Sequence, residues 1–155
     1  MWKAAATANS WDINILSIFQ QQRVKSKRWL IRIWSERIGG IMSRVIIVEG
    51  KTDKQRLLQL LDEPVEIACT YGTLGLDKLE QLIAEFSDDE VCVLLDADHA
   101  GDKARRLFKR EFPNVRHLYT HRMYREVATT PLNVLAQILE GAHFVVKLPE
   151  AEDMY

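Results

Sequence analysis

Cysteine is nearly absent from this chain, and the little there is excludes two classes of site. The 155 residues include two cysteines, Cys69 and Cys92, with no C-x-x-C or other short spacing of the kind a thiolate zinc site or a redox pair requires. Each lies inside an apolar run and reads as a reduced core thiol. Long hydrophobic runs are missing too. No stretch approaches the roughly 18 apolar residues of a membrane span, and the first residues lack the basic-then-apolar order of a secretory signal. A cytoplasmic protein without a membrane partner is expected. Nor does one sign of charge dominate: 21 Lys and Arg stand against 22 Asp and Glu. What is present, 47% hydrophobic and 28% charged residues, suits one globular domain that buries roughly 70% of its unfolded surface.

The charges are unevenly placed. Residues 1–41 carry seven basic and two acidic side chains, and the remainder fourteen and twenty. A basic arm on an acidic domain gains from releasing counterions around nucleic-acid phosphates; Trp29 and Trp34 among those charges would equally suit a membrane surface. The run MSRVIIVEG from Met42 nevertheless reads as a natural start, because Gly39 and Gly40 interrupt the chain just before it. We therefore expect a basic extension over 1–41, most simply an over-extended gene start, a domain over 42–148 and an acidic tail over 149–155.

From Met42 onward apolar runs alternate with helical periodicity. Strands are expected over 45–48, 65–69, 91–95 and 115–119, with a further candidate at 143–147. Helices are expected over 54–61, 76–86, 101–112 and 131–140. Such alternation means right-handed βαβ crossovers, hence an α/β, three-layer Rossmann-like fold whose mainly parallel sheet is covered on both faces. Ligands of these sheets bind beyond the carboxyl ends of the strands. Two strands end there on acids: VIIVEGKTD at 45–53 presents Glu49, and VCVLLDADHAG at 91–101 presents Asp96 and Asp98. With strand order 2-1-3-4 these carboxylates face one another across the switch point. Their mutual repulsion is relieved by a hard divalent ion, so Mg²⁺ or Mn²⁺ is expected rather than zinc.

The pairing of E-G-x-x-D, here Glu49-Gly50-Lys51-Thr52-Asp53, with D-x-D-x-A-G, here Asp96-Ala97-Asp98-His99-Ala100-Gly101, resembles the Toprim domain. That family includes bacterial primases, type IA and type II topoisomerases, recombination-repair proteins, overcoming-lysogenization-defect nucleases and the small ribonuclease that matures 5S ribosomal RNA. Similarity covers nearly all of residues 43–120. The resemblance implies that Glu49 acts as general acid or base in phosphoryl transfer and that Asp96 and Asp98 hold Mg²⁺, with Glu49 sharing a second ion. That division suits a phosphodiester displacement, in which charge develops on the attacking and leaving oxygens.

Other residues near that edge have two readings each. Gly50 allows close approach of a phosphate or forms a plain turn, and Lys51 contacts phosphate or is a solvated lysine. Asp53 either helps to hold metal or is the N-cap of the following helix, the second reading being preferred. Thr70, Gly72 and Thr73 follow the second strand and either meet phosphate or form a turn. His99 reads as a rim residue. Gly101 is a candidate for close approach of a phosphate, and the run Lys103, Arg105, Arg106, Lys109 and Arg110 gives the third helix a basic surface beside the acids, either a solvated face or, through Lys103 and Arg106, a phosphate contact. Arg122, Tyr124 and Arg125, followed by Glu126-Val127-Ala128, resemble the small stand-alone Toprim proteins of bacteria.

Neither a topoisomerase's tyrosine-bearing domain nor a primase's zinc module is recognisable, so a minimal Toprim protein is expected. Two functions remain open. One is a Mg²⁺-dependent nuclease acting on RNA or DNA; the other is a non-catalytic metal-binding module that binds nucleic acid or docks on ribosomal or replication machinery.

Overall fold

In the computed structural model, which describes residues 43–147, four of the expected apolar runs pair into one parallel sheet. Strands β1 (Arg44–Val48), β2 (Glu66–Cys69), β3 (Glu90–Leu94) and β4 (Arg116–Leu118) lie in the order β2-β1-β3-β4, each pair parallel. Helices α1 (Lys51–Leu60), α2 (Leu76–Phe86), α3 (His99–Glu111) and α4 (Leu132–Gly141) connect or follow them. The segments 1–41 and 149–155, with the expectations placed on them, lie outside the described residues.

Alternation along the strands explains the layering. Ile46, Val48, Cys92 and Leu94 pack with Leu57 and Leu60 of α1 and Leu135 and Leu139 of α4. The intervening Val45, Ile47, Val91 and Val93 pack with Leu79, Leu82 and Phe86 of α2 and Phe108 of α3. A sheet buried on both faces needs near-continuous apolar strands, which VIIV and VCVLL supply. Both cysteines are buried and unpaired, and burial pushes the Cys92 thiol up to about 11. No described helix is long and apolar enough to cross a membrane.

Two helices begin earlier than periodicity predicts, both at the acidic motifs. α1 starts at Lys51 instead of 54 because Gly50 is its N-cap and the Asp53 carboxylate accepts the Gly50 N–H at 2.9 Å. α3 starts at His99 instead of 101 because Asp98 is its N-cap and accepts the Gly101 N–H at 2.7 Å. Acids in these positions satisfy amides that a helix start leaves without partners.

The candidate strand at 143–147 is corrected to a single antiparallel bridge between Leu61 and Val146. This segment meets the chain leaving α1, where Leu60 O accepts the Lys147 N–H at 2.8 Å, rather than a strand edge. Arg44 secures it at the end of the sheet away from the acids. Its guanidinium bonds Glu63, Glu90 and the carbonyls of Ala142 and His143, and lies 3.7 Å from the centre of the Phe144 ring.

Candidate acidic site at the carboxyl edge of the sheet

β1 and β3 are in register, Ile47 opposite Val93, so Glu49 and Asp96 leave the sheet almost level. The Asp96 N–H points at Glu49 Oε1, 3.3 Å away. Asp96 Oδ1 in turn accepts the Val127 N–H at 2.8 Å. Together with the Asp53 and Asp98 caps, four carboxylates at this edge each direct an oxygen at a backbone amide. That arrangement fixes their positions and leaves further lone pairs on every group.

Negative charge is concentrated here, and Arg56 and Arg105 offset it only in part. Burial, then the Asp96 charge, raises the Glu49 pKa above the usual carboxylate value against the opposing Asp96 amide, with smaller raising contributions from Asp98 and Asp53. Asp96 is raised by burial, then by Asp53, Asp98 and Glu126, against the Val127 amide. Asp53 is raised by burial and by Glu126, against the Gly50 amide and Arg56. Glu126 is therefore a further acid of this edge. The donors are hard oxygens in mutual repulsion, which is the chemistry a Mg²⁺ or Mn²⁺ ion relieves. Among the described residues, no three His, Cys, Asp or Glu side chains are gathered closely enough to form a metal cage. Strand parity accounts for this: Glu49 continues the Ile47 side, towards α2 and α3, whereas Asp96 continues the Leu94 side, towards Val127.

On the Glu49 side a cleft of about 240 Å³ is lined by Glu49, Thr70, Gly72, Thr73, Lys103 and the start of α3. Five of the residues singled out in the sequence thus share one cavity. The Thr70–Thr73 turn that borders it is sharp, with Tyr71 at φ 55° and Gly72 at φ 101°, and the Tyr71 N–H bonds Glu49 O at 2.9 Å. Lys51 and Arg106 are exposed and do not line this cleft.

The two glycines expected to approach a phosphate have other tasks. The Gly50 N–H is taken by Asp53 and the Gly101 N–H by Asp98. Gly101 is glycine because α3 passes so close to the preceding turn that a Cβ would lie 2.1 Å from the Asp96 carbonyl oxygen. Arg105 likewise departs from the basic surface expected of α3. It is 5% exposed and donates to Leu95 O at 2.8 Å and Leu118 O at 2.9 Å, joining the ends of β3 and β4. The spacing Gly101, Arg105, Phe108, Phe112 is one helical face, a signal that places Arg105 inward.

Acids at a nearly level pair of strand ends, in a parallel sheet of order 2-1-3-4, define the class as an α/β domain with an acidic carboxyl edge. Residues 44–125 match the family model of the Toprim domain, and the chain belongs to that family. A solved structure of a small Toprim domain protein from Bacillus stearothermophilus superposes with a TM-score of 0.66 at 50% identity, covering 68% of this chain and 90% of that one. The uncharacterized protein YusF of Bacillus subtilis is 43% identical over 105 residues, 68% of this chain and 72% of its own length. Ribonuclease M5 of Mycoplasma genitalium is 34% identical over 76 residues, 48% of this chain and 42% of the enzyme. The chain therefore spans less than half the length of that ribonuclease.

Proposed function

We propose that this chain is a metal-dependent nuclease acting on RNA or DNA, with its activity in residues 42–148 and a cytoplasmic setting. The observation that carries the reading is the cleft in which Glu49 shares a wall with Lys103 and the Thr70–Thr73 turn, because it sets a proton carrier beside a cation and hydroxyls suited to phosphate. Similarity to a ribonuclease supports an RNA substrate. Asp96 and Asp98, joined by Glu49, would hold Mg²⁺ or Mn²⁺, which when bound neutralises charge on phosphoryl oxygens. Glu49 moves the proton of the attacking group; its raised pKa suits that task. Lys103, Thr70, Gly72 and Thr73 position the phosphate, while Lys51 and Arg106 meet the flanking backbone.

Purified protein incubated with structured RNA and with single-stranded DNA, plus Mg²⁺ or Mn²⁺, is expected to cleave at least one of them. Glu49→Gln should slow cleavage by about 100-fold or more; a variant as fast as the parent removes Glu49 from proton transfer. The lack of a ready metal cage among the described residues favours a second reading, a non-catalytic module that binds nucleic acid or docks on a larger machine. Binding without turnover under either metal would establish it.

A further inference from the structure

The acidic edge presents a problem to any polyanion. Glu49, Asp53, Asp96, Asp98 and Glu126 act on one another there, so a phosphodiester needs cations nearby to approach. Lys103 provides one in the cleft on the α3 side. On the other side, where Asp96 faces Val127, cations come from the segment between β4 and α4.

That segment is a built platform. A 3₁₀ turn spans Arg122–Tyr124, started by His121, whose Nδ1 accepts the Met123 N–H at 3.3 Å. The hydroxyl of Thr129 donates to Tyr124 O at 2.8 Å, and that of Thr130 to Glu126 O at 2.8 Å. Val127 is fully buried in the core beneath, and Arg56 of α1 donates to Thr130 O. Two hydrogen bonds fasten the platform to the D-x-D turn: Ala97 N–H to Arg125 O at 2.6 Å, and Val127 N–H to Asp96 Oδ1 at 2.8 Å. Arg125 adopts φ 54° here, a conformation unfavourable for a residue with a Cβ that persists only where its surroundings enforce it. The side chains of Arg122 and Arg125 are exposed, and neither guanidinium has a hydrogen bond or ion pair among the described residues.

We infer that Arg122 and Arg125 bind the phosphodiester backbone of the substrate on the Asp96 side of the site, across the sheet edge from Lys103. The inference rests on the nucleic-acid reading above and extends it by giving the strand a second bank. Arg125 registers that strand against Asp96 and Asp98, because its own carbonyl is hydrogen-bonded within their turn. Its guanidinium can take two phosphate oxygens at once.

Anisotropy of one fluorescein-labelled sequence, prepared as single-stranded RNA and as single-stranded DNA, tests this across a salt series with EDTA present to prevent cleavage. The double variant Arg122→Gln/Arg125→Gln should bind at least tenfold more weakly, and its slope of log affinity against log salt should be shallower by about 0.7 per lost phosphate contact. Arg110→Gln, at the far end of α3, should leave both quantities unchanged. Arg125→Lys on the Arg122→Gln background should recover slope, which a purely structural role would not produce. A double variant with parental affinity and slope overturns this inference alone and leaves the loop to a protein partner. A parent chain that binds neither strand, in EDTA or with Mg²⁺ or Mn²⁺ added, overturns the nucleic-acid reading as well.

Discussion

Gly101 is where one added carbon would be felt most. Its missing Cβ leaves room for the Asp96 carbonyl, which would otherwise stand 2.1 Å away, and for Asp98 Oδ1 at 3.3 Å. Alanine here must push the D-x-D turn off α3, and overpacking of this kind costs about 1 to 3 kcal/mol. Gly101→Ala is expected to lower stability by about 2 kcal/mol in urea unfolding, and a midpoint equal to the parent's would show that the turn gives way freely. At this scale the sequence was legible in part. The motifs identify Glu49, Asp96 and Asp98, since acids at the ends of apolar runs have no packing reason to be there. They do not disclose that Asp98 caps α3 or that the Gly50 and Gly101 amides are already used, because a cap and a phosphate contact draw on the same residue types. Glu126 stands in the sequence only as part of a resemblance, because nothing local in the chain links it to Asp53 and Asp96; only the fold brings it to this edge.

α3 joins the sheet to its acidic edge through a buried charge. Arg105 donates to the Leu95 and Leu118 carbonyls at the ends of two neighbouring strands, and its guanidinium lies 4.3 Å from the centre of the Tyr119 ring. Removing it leaves two carbonyls without that donor, at about 1 to 3 kcal/mol each where they stay dry. Arg105→Ala should therefore cost about 3 kcal/mol by denaturant titration. Arg105→Lys should recover only a fraction, because one ammonium lacks the planar fork that spans both acceptors. A loss below about 1 kcal/mol for Arg105→Ala would mean that water takes over its role. Elements made of uninterrupted apolar runs, such as β1 and β3, could be read directly, as could α2, where the expected 76–86 coincides with the observed helix. The bridge at Val146 looked like a strand because a short apolar run carries no record of what lies beside it. Lys and Arg read as surface by type, yet Arg105 sits in the buried helical stripe, and the stripe is the better guide.

Over the whole molecule the sheet separates two electrostatic regimes. At its amino edge Arg44 is matched by Glu63 and Glu90, whereas at its carboxyl edge the acids repel one another. Glu49, Asp53 and Asp96 all have raised pKa values, burial being the largest cause in each. A carboxyl with a raised folded pKa retains its proton longer in the folded than in the unfolded chain. Its contribution to stability is thus complete below the unfolded value, near 4 for Asp and Glu, and is lost as pH rises through the higher folded value. Other ion pairs in the protein titrate with the opposite sign, so the quantity to compare is the difference between the parent and Glu49→Gln/Asp96→Asn. In EDTA the parent should lose melting temperature relative to that variant as pH rises from about 4 towards neutrality. Mg²⁺ or Mn²⁺ should restore it, and more fully at neutral than at acid pH, because protons compete with the metal for the same oxygens. Differential scanning fluorimetry across pH, with and without metal, reads both effects. Parallel curves for parent and variant in EDTA would mean that the acids are solvated rather than confined, and a parent insensitive to either metal at neutral pH would remove the ion from this edge.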